Sequence, residues 1–474
     1  MVFSRSSRVL AAVSAMLSAC TVGPNYKVPD RALVNVPAAK GSFLASTDPA
    51  LAPAALPAEW WRLYSDTRLD ALIHEGFNAN TDLRVANANL ERSQALLREA
   101  RSLRQPSVAI EASVEYAQLA GEQYLLPITP PTSTYYDGQA TVGYDLDLFG
   151  GIRRGIEAAR ANTQAVEAAR DLVRVNVAAE TARAYADVCG AGLQLDAASR
   201  SLSLQRHSLA LTQELLARGR AIDLDVRRSR ELVEELTSEI PSLQAGRRNA
   251  LYRLAVLTGR PPGEYDRALE ACVAPPRLRQ ALPIGDGAAL LGRRPDVHEA
   301  ERELAAATAE IGVATSQLYP DISIGLGASS IGTAATALSS PTNAWQLGSL
   351  VRWQVNQSAA RAQVAAANAS AKAALAQFDG TVLRALGDTE SALNVYVHDL
   401  KREDSLKAAR DDAARVADDA ERLEVGGRAT ALEVVDAQRT LASVEQALAQ
   451  LEAAISSDQI AVFLALGGGW ERSP

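Results

Sequence analysis

Residues 136–147 read Tyr-Asp-Gly-Gln-Ala-Thr-Val-Gly-Tyr-Asp-Leu-Asp. Successive side chains of a strand point to opposite faces, so Tyr136, Gly138, Ala140, Val142, Tyr144 and Leu146 share one side and Asp137, Gln139, Thr141, Gly143, Asp145 and Asp147 the other. Three more stretches alternate in the same way. One sets Val108, Ile110, Ala112, Val114 and Tyr116 against Ser107, Ala109, Glu111, Ser113 and Glu115. The next sets Ile322, Ile324, Leu326 and Ala328 against Asp321, Ser323, Gly325 and Gly327, and the last Trp345, Leu347, Val351, Trp353 and Val355 against Gln346, Gly348, Arg352 and Gln354. Each is about ten residues or more, long enough for a tilted strand to cross a bilayer, with aromatic residues near the ends. That pattern points to a transmembrane β-barrel wall rather than to soluble hairpins packed on one face. Four strands cannot close a barrel, and hydrocarbon does not tolerate open edges, so the wall has to be shared between chains. Two chains would give eight strands and an interior filled by side chains; three give about twelve strands and a lumen.

The four strands belong to a duplication. Residues 81–110 match 295–324 at a constant offset, pairing Asp82 with Asp296, Ala86 with Ala300, Leu90 with Leu304, Ala100 with Ala314 and Pro106 with Pro320. Further on a shorter offset pairs Arg153 with Arg361, Gly219 with Gly427, Leu224 with Leu432, Val226 with Val434 and Gly259 with Gly467. The difference between the two offsets lies in one connection, either 121–134 or 332–343, both rich in Gly, Pro, Thr and Ser.

Each copy reads helix, strand, loop, strand, long helix, tight turn, helix. Proline is absent from Thr132 to Ile240 and from Thr342 to Ser473, and alanine makes up close to one residue in five, both signs of helix. Long helices over 151–217 and 359–425 would each run roughly 100 Å at ~1.5 Å per residue. They stop at Arg218-Gly219 and Gly426-Gly427, where glycine takes the left-handed C-terminal conformation, and return helices over 222–258 and 430–466 follow. Pro241 has no counterpart in the second copy, where Ala449 stands, so a kink or break is expected there. The expected organisation is residues 1–19 as signal peptide, 20–60 as a lipidated extension, 61–270 as repeat 1 with strands 107–118 and 135–148, and 271–474 as repeat 2 with strands 320–331 and 344–355.

The N-terminus supports an exported protein. Arg5 and Arg8 precede an apolar run from Val9 to Leu17, then Ser18, Ala19 and Cys20. Leu17-Ser18-Ala19-Cys20 resembles the bacterial lipobox, which implies that Cys20 becomes the acylated first residue, and Thr21 after it implies delivery to the outer membrane. Two or more acyl chains anchor a protein stably where one does not. Beyond this segment no stretch has the ~18 uncharged apolar residues of a membrane helix, which excludes a polytopic helical transporter. With 48 Lys+Arg against 56 Asp+Glu and a formal charge of −8, a nucleic-acid partner is excluded as well. His74, His207, His298 and His398 have no metal-like spacing, and no phosphate loop or nucleophile–base set is present, so no enzyme is expected and no cofactor beyond the covalent lipid on Cys20. Cys189 and Cys272 are expected as two buried thiols, with a disulfide as the alternative.

The mature chain resembles TolC-like outer-membrane efflux proteins, in particular the NodT-type lipoprotein branch that serves RND pumps. The resemblance rests on Cys20 with Gly23-Pro24-Asn25-Tyr26 and Pro29; Trp60-Trp61 with Leu69-Asp70 and Leu72-Ile73; Tyr144-Asp145-Leu146-Asp147-Leu148-Phe149-Gly150; Arg293-Arg294-Pro295-Asp296 with Ala300-Glu301; and Ala465-Leu466-Gly467-Gly468-Gly469-Trp470. It implies an α+β membrane protein: a homotrimer with a twelve-stranded outer-membrane β-barrel, four strands per chain, continuous with a twelve-helix periplasmic α-barrel. It further implies two structural repeats per chain, outer-membrane lipid around the barrel, and a periplasmic adaptor and an inner-membrane RND pump as partners. The chain departs from the family after its fourth strand, where Val355-Asn356-Gln357-Ser358-Ala359 replaces an aromatic-Asp-Gly-Gly element. By the same resemblance, acids early in the second return helix, here Glu433 and Asp436, form the periplasmic gate. Their spacing puts them on one helical face, and three copies would place six carboxylates around an axis, which attracts cations and raises some pKa values by mutual repulsion. Asp225, the first-copy counterpart of Glu433, and Arg428 are the candidates for the bonds that hold the gate. The function implied is a passive exit duct for small toxic compounds or drugs; a type I protein-secretion duct and a non-conducting, lipid-anchored coiled-coil scaffold are the alternatives.

Overall fold

The computed structural model describes residues 21–121 and 127–469. The signal segment, Cys20 and Trp470 lie outside those residues. Two compact units emerge, the first from residues up to Pro29, Leu90–Val166 and Glu299–Phe378, the second from Asp30–Asn89, Glu167–His298 and Asp379 onward.

The first unit carries the sheet. Strands β1 (Ser107–Ala117), β2 (Ser133–Leu146), β3 (Asp321–Gly332) and β4 (Asn343–Arg352) pair antiparallel in sequence order, leaving β1 and β4 as open edges. The register aligns the apolar rows across all four strands: Val108 faces Val142, which faces Leu326, which faces Leu347; Ile110 faces Ala140, then Ala328, then Trp345. Ile110 and Trp345 are about four-fifths exposed, at 80% and 79%, so this face has no covering within the chain. The β4 strand ends at Arg352, short of Val355, because Trp353 Nε1 and Gln357 Nε2 both turn back to donate to the Leu318 carbonyl, at 3.3 and 2.9 Å.

Two helix pairs flank the strands in sequence: α1 (Thr67–Ala79) with α2 (Thr81–Ser102), and α5 (Gly287–Arg293) with α6 (Pro295–Ser316). The long helices are α3 (Gly151–Ala217) and α7 (Ser358–Val425), and the return helices α4 (Asp223–Leu257) and α8 (Ala431–Ala465). At both reversals a glycine with φ near +70° lets the next amide reach back five residues, Arg220 N to Leu215 O and Arg428 N to Leu423 O, each 2.8 Å. Helix α4 runs continuously through Pro241, so of the kink or break its sequence suggests, the break does not occur. The ring sits on an exposed face, where the carbonyl it leaves unpaired can be hydrated.

The second unit has the main core. Trp60 stacks on Phe463 at 4.6 Å, and Leu69, Ile73, Leu251 and Ile455 belong to the same core with no exposed surface. Cys189 on α3 and Cys272 just beyond α4 form a disulfide with Cα atoms 4.7 Å apart, so the expected pair of free thiols is corrected. The close approach comes from Gly192, one helical turn along α3, which lets the Cys272 backbone lie directly against the helix.

Candidate functional site

Three features of the described residues bear on function. The first is the uncharged face of the sheet. On it Tyr116, Tyr136 and Trp345 lie toward the loop ends of their strands and Tyr144 toward the helix ends. Tyr136 and Tyr144 are separated by about 27 Å of strand at ~3.4 Å per residue, roughly 20 Å of height at the ~40° tilt of a barrel strand, so the span between them fits within the ~25 Å apolar band of a membrane barrel.

The second is the docking of the segment that follows Cys20. Arg154, only 3% exposed, donates to the carbonyls of Val22 and Gly23, both at 3.1 Å, and to Asn25 Oδ1 at 2.8 Å, while its remaining nitrogen pairs with Glu157 at 2.7 Å. Gly23 accepts this because φ is +86° and the backbone of Gly312 packs where a Cβ would stand, 2.5 Å away. Arg153 donates to Thr21 Oγ1 at 2.6 Å, and Val22 N bonds the carbonyl of Phe149, whose ring stacks on Tyr319 at 4.5 Å. Tyr26 donates to Glu301 Oε1 at 3.0 Å under the Arg302 guanidinium; burial, reinforced by Glu301, holds its phenol well above the ordinary range. Thr21, the residue after the expected lipid site, is thus fixed at the passage from β2 into α3. That passage is capped by Asp147, which accepts from the amides of Ile152 and Arg153 at 2.9 and 2.8 Å. In the second copy Val355 takes the place of Asp147, and Asn356 caps instead, accepting from Ser358 N at 3.2 Å and Ser358 Oγ at 2.9 Å.

The third is the start of the return helices. Thr430 and Glu433 form a capping box: Glu433 accepts from Thr430 N at 2.6 Å and Oγ1 at 3.0 Å, and Thr430 Oγ1 accepts from Glu433 N at 3.3 Å. The backbone bond from Thr430, then the hydroxyl, hold the Glu433 carboxyl below its usual range. Asp436 is exposed on the same face, over Val434, Val435, Ala437 and Gln438, which are buried. Asp225 does the equivalent half of the capping for α4, accepting from Ile222 N at 3.1 Å. It also lies near Glu424, whose carboxyl is raised by burial and then by Glu421 and Asp225. Arg428 is exposed, and within one chain neither it nor Asp225 bonds Glu433 or Asp436. The face shared by Glu433 and Asp436 was readable from their spacing. Arg154 was not, because two of the three partners it holds in the N-terminal segment are backbone carbonyls, which leave no mark in the sequence.

The sheet thus has one uncharged, exposed face and two open edges, and each of its strand pairs runs on in the chain into a long helix and a return helix. The chain belongs to the outer membrane efflux protein family, whose model matches residues 72–260 and 288–468. It is 27% identical to nodulation protein T of Rhizobium leguminosarum bv. trifolii, with 96% of each chain covered. It is 26% identical to the cation efflux system protein CusC of Escherichia coli O157:H7, over 97% of this chain and 98% of that one. Among solved structures the outer-membrane channel OprN superposes with a TM-score of 0.88 at 33% identity, covering 95% of this chain and 100% of that chain. The protein is therefore an outer-membrane component of an efflux system.

Proposed function

We propose that three copies of the chain join β4 of one to β1 of the next and close a twelve-stranded barrel around a water column, with α3, α4, α7 and α8 of the three chains forming a twelve-helix periplasmic tunnel. Acyl chains on Cys20 secure the trimer in outer-membrane lipid, and no other cofactor takes part. The duct is passive: an inner-membrane RND pump supplies the energy and a periplasmic adaptor joins the two, so small toxic compounds leave without entering the outer leaflet. Curated relatives are named for pyoverdine export in one case and cation efflux in another, which fits a fold that does not itself fix the cargo. Glu433 and Asp436 ring the tunnel's closed end, with Asp225 and Arg428 making their holding bonds to neighbouring chains. The observation that carries this reading is the aligned, uncharged and exposed face of a four-stranded sheet with both edges unpaired. The test is detergent extraction, mass measurement and bilayer reconstitution. A particle three times the mass of the mature chain that conducts ions is expected; a non-conducting monomer would refute the reading.

A further inference from the structure

The connection from β3 to β4, at the end of the sheet away from the helices, folds back over the uncharged face. Two residues of β3 fix its direction. Ser330 faces Gly138 on β2 and Asn343 on β4, so it continues the row of Ile324, Leu326 and Ala328. It is only 6% exposed, because its hydroxyl accepts from Leu338 N at 3.0 Å and lies 3.0 Å from Thr342 Oγ1. Gly332, the next residue of that row, has Thr336 Oγ1 and Thr342 Cγ2 packed where a Cβ would stand, both 2.9 Å away. Thr342 Oγ1 in turn lies 2.9 Å from the carbonyls of both Thr336 and Ser339. The connection is therefore tied down on the sheet and does not project from its end.

Leu338 is the residue this arrangement displays. Its φ of +63° is a conformation that a leucine keeps only where its surroundings enforce it, and it is 81% exposed. Residues 331–344 hold no charged side chain. The register sets the height. Gly332 faces Tyr136 and Ala328 faces Trp345, so Ser330, with the Leu338 amide bonded to it, lies at a level between those two aromatic residues. From Asp321 to Ser330 the strand runs about 31 Å at ~3.4 Å per residue, roughly 23 Å of height at the ~40° tilt of a barrel strand, which is still within the ~25 Å apolar band. A lone exposed leucine is ordinary on a surface that meets water. One held in a strained conformation, level with the aromatic residues of an uncharged face, calls for an apolar partner.

We infer that Leu338 seats this connection among the acyl chains of the outer leaflet, with Ser330 as its tether, so that the loop end of each sheet is fastened to lipid just as the acylated N-terminus fastens the helix end. The inference rests on the barrel reading above, which turns this face to lipid.

The experiment places an environment-sensitive fluorophore at Ala337→Cys in the full lipoprotein, reconstituted in phosphatidylcholine vesicles that carry either a doxyl group on a shallow acyl carbon or iodide in the buffer on both sides. Cys189 and Cys272 are joined, so the introduced thiol is the one free to react once Cys20 is acylated. Labels at Leu347→Cys, on the same face, and at Gln346→Cys, on the opposite one, calibrate the two quenchers. The label at Ala337 should follow that at Leu347, quenched by doxyl lipid and shielded from iodide. Ser330→Ala combined with Leu338→Asn removes the tether and the apolar side chain, while asparagine tolerates the left-handed backbone; iodide quenching at Ala337 should then rise at least ~3-fold. Quenching at Ala337 by iodide alone, or by neither agent because a neighbouring copy covers it, overturns the inference, as does a combined variant that behaves like wild type. If Leu347 meets lipid and Ala337 does not, this inference falls alone; if Leu347 is itself open to iodide and closed to lipid, the barrel reading falls with it.

Discussion

The disulfide offers the sharpest stability test. Cys189 and Cys272 are separated by 83 residues, a loop that contains the whole of α4. In the chain-entropy model, closing a loop of that length removes about 15 cal/mol/K from the unfolded ensemble, or ~4.5 kcal/mol at 25 °C. Measured cross-links commonly deliver less, so about 3–4.5 kcal/mol is the working range. Alanine keeps most of the packing, since Cys189 is a small side chain within an alanine-rich stretch of the core. Replacing both cysteines by alanine therefore tests the covalent constraint. The assay is hydrogen exchange of the α4 amides in the detergent-solubilised protein, because local opening of one hairpin need not unfold the whole chain. At ~1.4 kcal/mol per decade, protection factors in α4 should fall by roughly two to three orders of magnitude in the double variant, and by the same amount in wild type treated with a reductant. Protection within about three-fold of wild type would refute the argument, as would free thiols at both positions in protein exported to an oxidising compartment.

Three further outcomes are expected. Arg154→Met leaves the Val22 and Gly23 carbonyls and Glu157 without their cation and should weaken docking of the N-terminal segment by ~3 kcal/mol, read as faster proteolysis ahead of Asp30 while the sheet stays intact. Glu403, 2% exposed, is bonded by Arg277 and by Lys407, and the Arg277 bonds foremost pull its carboxyl down from 4.5 to about 2. A depressed carboxylate stabilises the fold above its unfolded pKa and loses that contribution as pH falls through the folded one, so thermal melts should show wild type ahead of Glu403→Gln by ~2 kcal/mol at pH 7 and the gap closing between about pH 4.5 and 2. At the return helix, Glu433→Gln keeps the capping geometry whereas Glu433→Ala removes it at a cost of ~1 kcal/mol; both should lower cation preference in bilayers, and an effect confined to alanine would show that the cap, not the charge, matters.

The sheet was legible because a strand writes its two faces into alternate positions. What alternation cannot supply is the pairing of β2 with β3, which joins the two copies and aligns Ala140 with Ala328; register is a property of two segments, and each carries only half of it. The helix reversals were legible because Gly219 and Gly427 are the residues that tolerate φ near +70°. That Pro241 would not break α4 was hidden because its cost depends on whether the unpaired carbonyl meets water, and exposure is set by neighbours that the local sequence does not name. The disulfide was hidden for a related reason: a thiol on a long helix meets whatever the return path lays beside it, and the path is held by Gly192, whose lack of a side chain gives no hint of its neighbour.

The duplication makes the remaining asymmetries informative. Val397 stands where the first copy has Cys189, so the covalent staple belongs to the first hairpin alone; Val355 stands where Asp147 caps α3, so the second long helix begins with a weaker cap. At the return turn the order reverses. Ile222 has no side-chain oxygen to cap α4, while Thr430 and Glu433 cap α8 reciprocally. The first copy is thus fixed along its length and the second at its reversal, where the two candidate gate acids lie. The capping box also separates those acids. Glu433 is committed to its own helix start, its carboxyl held below the usual range by two bonds from Thr430, whereas the Asp436 carboxylate accepts no bond among the described residues.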